Sequence, residues 1–397
     1  QISIISWKSE ICIAESTTLE ATKSGGVNCA AVQWQYRPGT TGSWINLGVG
    51  NTITTSTSLP AGDYQYRALY NCSGTGCDNA ISNTITVTIT ADPTVSISAN
   101  TATVCAGGSA TLTAVPSGGG TCAAVQWQYR PGTTGTWLNL TTGNTLTTST
   151  ALAVGTYQYR ALYNCTDAGG CGNATSNTVT YTVVADPSIA THPSGATFCI
   201  SGSHTMSVVG AGGTPSLTYQ WQSSPDGSTW TNITGATASS YTTPTILTTT
   251  QYRVVVSASG SGCGSVNSNA AIVTINPGAT VNAGADQSVC AGSTVTLAGT
   301  RGGAATSSNW TTSGTGTFSN ATLVNAVYTP SPADIAAGTV TLTLTTNDPT
   351  GPCPAVSDQM VVTIRPNPTV NAGADATVCL GSGKTLTAGG SGGTAPY

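Results

Sequence analysis

Thirteen cysteines are the main reactive side chains of this 397-residue sequence, and their spacing is regular. Cys12, Cys105, Cys199, Cys290 and Cys379 lie 93, 94, 91 and 89 residues apart, each before a short Gly/Ser turn and an alternating segment such as SATLTAV at 109–115. A second series, Cys77, Cys171, Cys263 and Cys353, follows the first by 65, 66, 64 and 63 residues. Cys29 with Cys72, and Cys122 with Cys165, form two further pairs, each 43 residues apart. Thiols can bind metal, act as nucleophiles or oxidise to disulfides. Metal binding fits poorly, because no CxxC pair occurs and His192 and His204 are the only histidines. Disulfides at this density imply an oxidising compartment and hence an exported chain.

Four cysteines in one repeat allow three connectivities. The third and fourth repeats carry only the outer pair, and this favours one bridge per repeat: Cys12 with Cys77, Cys105 with Cys171, Cys199 with Cys263, and Cys290 with Cys353. Cys29–Cys72 and Cys122–Cys165 are the additional bridges of the first two repeats. Closing loops of this length stabilises a domain by about 4 kcal/mol in the chain-entropy description. Cys379 is left without a partner, which the ladder would place near positions 442–445. A window on a longer repetitive protein, strand donation by another subunit, and a free thiol are the three explanations, in decreasing order of expectation.

Other chemistry is sparse. Lys plus Arg number 10 and Asp plus Glu 14, so charged residues make up 6% of the chain. No basic stripe is available for phosphates, and no nucleic-acid partner is expected. No run of about 18 apolar residues occurs, so no membrane insertion is expected in this segment. LGSGKT at 380–385 contains the GKT of a phosphate-binding loop, but Val378 stands where the pattern needs glycine. No GxSxG elbow or repeated Ser/His/Asp set appears. Asp92, Asp186, Asp286 and Asp375 lie near junctions, yet one or two carboxylates per junction are few for calcium. The expectation is therefore no catalytic residues, no cofactor and no metal.

The elements that position the cysteines are legible from internal repetition. CAAVQWQYRPGTTG at 29–42 recurs unchanged at 122–135, and YQYRALYNC at 64–72 recurs at 157–165. Strand-like segments with period-two alternation, rich in Thr, Val and Tyr, arrive about every ten residues, and no segment carries a helical apolar stripe. Seven short strands per repeat is the count of an immunoglobulin-like sandwich. Trp34, Trp127, Trp221 and Trp310 fall on the third strand, where they would fill the core between sheets. The Tyr-x-Tyr of YQYR matches the position of a tyrosine corner, although its second Tyr stands where antibody domains have a core cysteine. Asp-Pro and Asn-Pro steps mark boundaries, giving domains at 1–92, 93–187, 188–277 and 278–367 and the start of a fifth at 368–397. The fold class expected is all-β: tandem immunoglobulin-like β-sandwich domains, joined by short Pro-containing linkers and arranged end to end as a stiff rod.

VCAGGSATLTA, NAGADQSVCAGSTVTLAG and NAGADATVCLGSGKTLTAGGSGGTAPY together resemble the immunoglobulin-like repeats of very large surface proteins of Bacteroidota, including gliding-motility adhesins exported by type 9 secretion. The resemblance covers essentially the whole chain and is strongest from about 279 to 397. It implies a non-enzymatic, extracellular adhesin or filament stalk, with surface glycans, other cells or further copies of itself as candidate partners. One rival is a carbohydrate-binding array in which Trp44, Trp137 and Trp230 stack on sugars. Another is a set of spacer modules in a secreted multidomain enzyme.

Overall fold

The computed structural model describes residues 1–75, 78–165, 171–349 and 351–392. Cys77 and residues 393–397 lie outside the described residues. The chain divides into two compact units, one of residues 1–188, 210–218 and 256–266, the other of residues 189–209, 219–255 and 267–397. The architecture is nearly all-β in both, as its alternating, Thr- and Val-rich segments require.

Repeat 1 packs a three-stranded sheet, Ile2–Ser6, Thr18–Lys23 and Thr52–Thr54, against a larger sheet. The larger sheet runs in the order Glu10–Cys12, Ile85–Thr90, Gly62–Tyr70, Gln33–Pro38 and Ile45–Val49. Its strands are antiparallel except at one edge, where Glu10–Cys12 runs parallel to Ile85–Thr90. Repeat 2 reproduces both sheets strand for strand. The inward-facing residues of the two sheets make the core, with Ile4, Leu19, Trp34, Tyr66 and Val87 in repeat 1 and Ile97, Leu112, Trp127, Tyr159 and Tyr181 in repeat 2. These are tandem immunoglobulin-like β-sandwiches.

The four tryptophans lie where their spacing places them, each no more than 1% exposed. Burying an indole strands its N–H unless an acceptor is near. Each Nε1–H finds one: Trp34 donates to the Gly50 carbonyl, Trp127 to Gly143, Trp221 to Ala238 and Trp310 to Leu323, at 2.9 to 3.1 Å. The tyrosine corner is also present: Tyr64 donates to the Pro60 carbonyl at 3.0 Å and Tyr157 to Ala153 at 2.9 Å.

Repeat 4 departs from the strand-only expectation. Pro332–Ala337 forms a short α-helix, capped by Ser331, with which Asp334 completes a reciprocal capping box. The absence of an apolar stripe hid this helix, because capping and the buried Asp334 hold it. The Asp334 carboxylate accepts hydrogen bonds from Tyr328 Oη–H at 2.7 Å and from the Thr315 and Ser331 amides. Burial pushes its pKa up, but these donors outweigh burial and hold it below the usual carboxylate value.

Two side-chain oxygens of repeat 1, Glu15 Oε2 and the Tyr66 hydroxyl, break the rule that buried polar groups are hydrogen-bonded. Tyr66 is 1% exposed, and its hydroxyl meets no hydrogen-bond partner among the described residues. Burial first, then the phenols of Tyr36 and Tyr64, raise its pKa above the ordinary tyrosine range. An unpaired buried hydroxyl carries a desolvation penalty of about 1–3 kcal/mol. Tyr66→Phe is therefore expected to leave the chain as stable or to raise its stability by up to ~1 kcal/mol. The denaturant midpoint reads this directly, and a clear loss would contradict the packing described.

Candidate functional site

Two arrangements could do something beyond packing: the half-buried tryptophans and the cysteines at the ends of the sandwiches. Trp44, Trp137 and Trp230 are half-buried on the turn after the core-tryptophan strand. Guanidinium groups cover all three rings. Arg37 and Arg67 lie 4.6 and 4.2 Å from the Trp44 centroid, Arg130 and Arg160 4.5 and 4.3 Å from that of Trp137, and Arg253 4.3 Å from that of Trp230. Cross-strand glutamines hold the cations in place: Arg37 donates to Gln65 Oε1, Arg67 to Gln35, Arg160 to Gln128 and Arg253 to Gln222, at 2.7 to 3.0 Å. With Lys23 over Tyr70 at 5.2 Å, six of the ten cations are stacked on rings, whereas Lys8–Glu15 at 4.0 Å is the sole ion pair among the described residues. Sequence reading missed these arginines. The signal was available in the alternation of Gln33–Pro38 and Gly62–Tyr70, which puts Gln35, Arg37, Gln65 and Arg67 on one face. Rings already stacked on guanidinium are poor platforms for a sugar.

The cleft between the sheets of repeat 2 has a volume of about 300 Å³ and is lined mainly by Tyr129, Leu140, Leu146, Leu152 and Tyr159. His192 Nδ1 accepts from the Asn269 amide and His204 Nε2 lies 3.1 Å from the Ser194 carbonyl, so each ring serves a backbone contact. No group of three or more His, Cys, Asp or Glu side chains that could hold a metal occurs among the described residues.

The cysteines give the main correction to the sequence reading. Cys29 bridges Cys72 and Cys122 bridges Cys165, each across 43 residues. The outer cysteines, however, do not close their own repeats. Cys12 is bonded to Cys171, Cys105 to Cys263 and Cys199 to Cys353, at sequence separations of 159, 158 and 154. The expected pairs Cys105–Cys171 and Cys199–Cys263 are therefore replaced. Cys12 and Cys353 have partners other than Cys77 and Cys290, and Cys290, expected to be bonded, is a free thiol.

Strand direction explains the change. Cys105 pairs in register with Val184 at the C-terminal end of Val179–Val184, which lies beside Gly155 at the start of Gly155–Tyr163. Cys171 follows the far end of that nine-residue strand. At ~3.3 Å per residue the strand separates the two cysteines by roughly 25 Å, well beyond the ~7 Å that a disulfide spans between Cα atoms. Each strand cysteine can reach only a loop cysteine of the following repeat. The Cα–Cα distances of the three bridges are 5.3, 4.9 and 4.9 Å.

Each joint is built the same way. The residue after the strand cysteine donates its amide to the last carbonyl of the parallel strand: Ile13 to Thr90, Ala106 to Val184 and Ile200 to Asn276. In the first unit Cys12, Cys165 and Cys171 form one buried cluster against Cys122 and Tyr163, so the joint disulfide packs beside the short-loop disulfide. Linker carbonyls are capped by glycine turns, with Gly119 donating to Ala91 and Gly213 to Ala185, both at 2.8 Å. At the second joint, Cys105 donates to the Ser261 carbonyl at 2.9 Å and Ser109 to Ser261 Oγ at 3.1 Å. There Gly108 and Gly262 approach backbone to backbone, and a Cβ on Gly108 would overlap the Ser261 carbonyl. Gly108→Val is accordingly expected to push the 256–266 loop off its seat. After reduction, Cys105–Cys263 should re-form at least tenfold more slowly than Cys29–Cys72 in the same molecule, by mass-resolved alkylation; equal rates would contradict the contact.

Residues 189–277 match a family described as Domain of unknown function (DUF8696). No curated protein matches. Among solved structures, the three N-terminal domains of the bacteriophage RB49 Highly Immunogenic Outer Capsid protein align at 12% identity and a TM-score of 0.39, covering 69% of this chain and 98% of that one. Sidekick-1 immunoglobulin domains 1–5 align at 14% identity and 0.32, covering 93% and 80%. A Ca2+-stabilized adhesin with which an Antarctic bacterium binds ice aligns at 14% identity and 0.32, covering 92% and 99%.

Proposed function

We propose that the chain is a load-bearing stalk segment of an exported surface adhesin or filament. Its repeats are bounded near residues 92, 187, 277 and 367, and its role is mechanical rather than catalytic. The observation that carries this reading is the relay of disulfides from each repeat into the next. A catalytic or ligand-binding module needs its own fold closed; a tether needs its modules bound to one another. The five disulfides support an oxidising, extracytoplasmic compartment. The neutral Thr, Ser, Asn and Gly surface, with 6% charged residues, makes long-range electrostatics weak and insensitive to salt.

The resemblance of the cysteine-bearing segments to repeats of Bacteroidota surface proteins supports assignment to that class, with type 9 export and gliding motility as its natural setting. Surface labelling of intact cells with antibody to this chain, combined with attachment and gliding assays of a deletion strain, tests the reading. Labelling only after permeabilisation, or unchanged attachment and movement, would reject it. A glycan array is the matching test of the rival, and the arginine-covered rings predict that it stays blank.

A further inference from the structure

The cleft of repeat 2 lies where its two sheets part. Leu138–Thr142 is the edge strand of the larger sheet and Thr145–Thr147 that of the smaller, and the chain crosses from one to the other at Gly143 and Asn144. Leu140, Leu146 and Leu152 supply apolar walls, beside the Tyr129 ring stacked on that of Tyr159 at 6.1 Å between centroids. No charged side chain lines the cleft. Two of its polar side chains are almost wholly buried, Thr148 at 4% and Tyr159 at 2% exposure. Thr148 is satisfied: its Oγ1 accepts from the Ala110 amide at 2.9 Å and donates to Tyr181 Oη at 3.0 Å. The Tyr159 hydroxyl has no hydrogen-bond partner among the described residues.

Tyr159 is the counterpart of Tyr66 in the repeated YQYRALYNC segment. Both hydroxyls are unpaired, but they differ in access. The Tyr66 oxygen is closed off from solvent, whereas Tyr159 lines the cleft. Burial first, then the phenols of Tyr181, Tyr129 and Tyr157, raise the Tyr159 pKa above the ordinary tyrosine range. Its proton therefore stays on at physiological pH, and the group is a donor with nothing to receive it. A donor left unpaired inside an apolar cleft favours an occupant that brings an acceptor to it.

We infer that this cleft is a binding site for a neutral small molecule with an apolar body and one acceptor oxygen, of which a single-ring ketone is the simplest form. Leu140, Leu146 and Leu152 hold the body, and Tyr159 Oη–H donates to the oxygen. A volume of about 300 Å³ stands at the lower end for small-molecule sites, so one ring fits and an oligosaccharide does not. With no charge in the lining, an ionic ligand would lose its hydration without gaining a partner. The site lies within one sandwich and does not depend on the disulfide relay.

The test labels the leucine methyls of the full 397-residue chain and titrates it with acetophenone and with ethylbenzene, which has a methylene in place of the carbonyl. The expected result is a set of saturable NMR shifts at Leu140, Leu146 and Leu152, while Leu47 and Leu59, the counterparts of Leu140 and Leu152 in repeat 1, stay unmoved. Tyr159→Phe should weaken acetophenone about fivefold and leave ethylbenzene within about twofold. No saturable shift at the three leucines, shifts spread equally over repeat 1, or a Tyr159→Phe variant that binds acetophenone as before or loses both ligands equally would overturn the inference. Tyr159→Phe keeps the ring and removes only an unpaired hydroxyl, so its melting curve should not fall, which separates loss of the contact from loss of the fold.

Discussion

Pulled from its two ends, the oxidised chain is expected to stop lengthening at about 300 Å, and after reduction to extend to roughly 1,350 Å, at ~3.4 Å per extended residue. The relay sets the limit. Tension entering at Gln1 reaches Cys12, crosses to Cys171, follows the backbone to Cys199, crosses to Cys353 and leaves at Tyr397. Residues 13–170 and 200–352 are bypassed, so the load falls on 1–12, 171–199 and 353–397, which include the core strands Val179–Val184 and Ser357–Arg365. Within-repeat pairing would shield less and allow about 500 Å, on the same ~3.4 Å per residue. Single-molecule extension with and without reductant separates the three values. An oxidised trace that passes 500 Å, or one that reduction leaves unchanged, would remove the load-bearing reading.

Trp127→Ala is expected to destabilise repeat 2 by about 3–5 kcal/mol, whereas Trp137→Ala should cost only about 1 kcal/mol. Both substitutions remove an indole from one repeat, so the contrast isolates what each ring does. Trp127 is fully buried between the sheets, and its removal leaves a cavity and an unpaired Gly143 carbonyl. Trp137 is half-buried and loses stacking with Arg130 and Arg160. Against a domain stability of roughly 5–15 kcal/mol, the first change approaches unfolding of the repeat and the second does not. Chemical denaturation followed through proteolytic cleavage within 93–187 measures both. Equal losses would mean that the half-buried ring carries structure the packing does not show.

Much of this architecture was open to reading because it is local or periodic. Alternation placed the strands, the recurring tryptophan marked the third strand of each sandwich, and the YQYR motif located the tyrosine corner that Tyr64 and Tyr157 form. The short helix at Pro332–Ala337 was not legible, since its support is the buried Asp334 rather than an apolar stripe. The arginine-covered tryptophans required knowing which strands are neighbours, which alternation within one strand does not state.

Sequence by itself determined the repeat, the core tryptophans and the equivalence of the cysteines in each series. It could not determine their partners. In a ladder with a period near 93 residues, pairing within a repeat and pairing with the next repeat are equally regular, so spacing cannot distinguish them. Tertiary structure decided through strand polarity: the parallel edge strand puts one cysteine at one end of its sandwich and the antiparallel strand carries the other to the opposite end. A disulfide spans only a few ångströms, so the chain had to bridge forward into the next repeat.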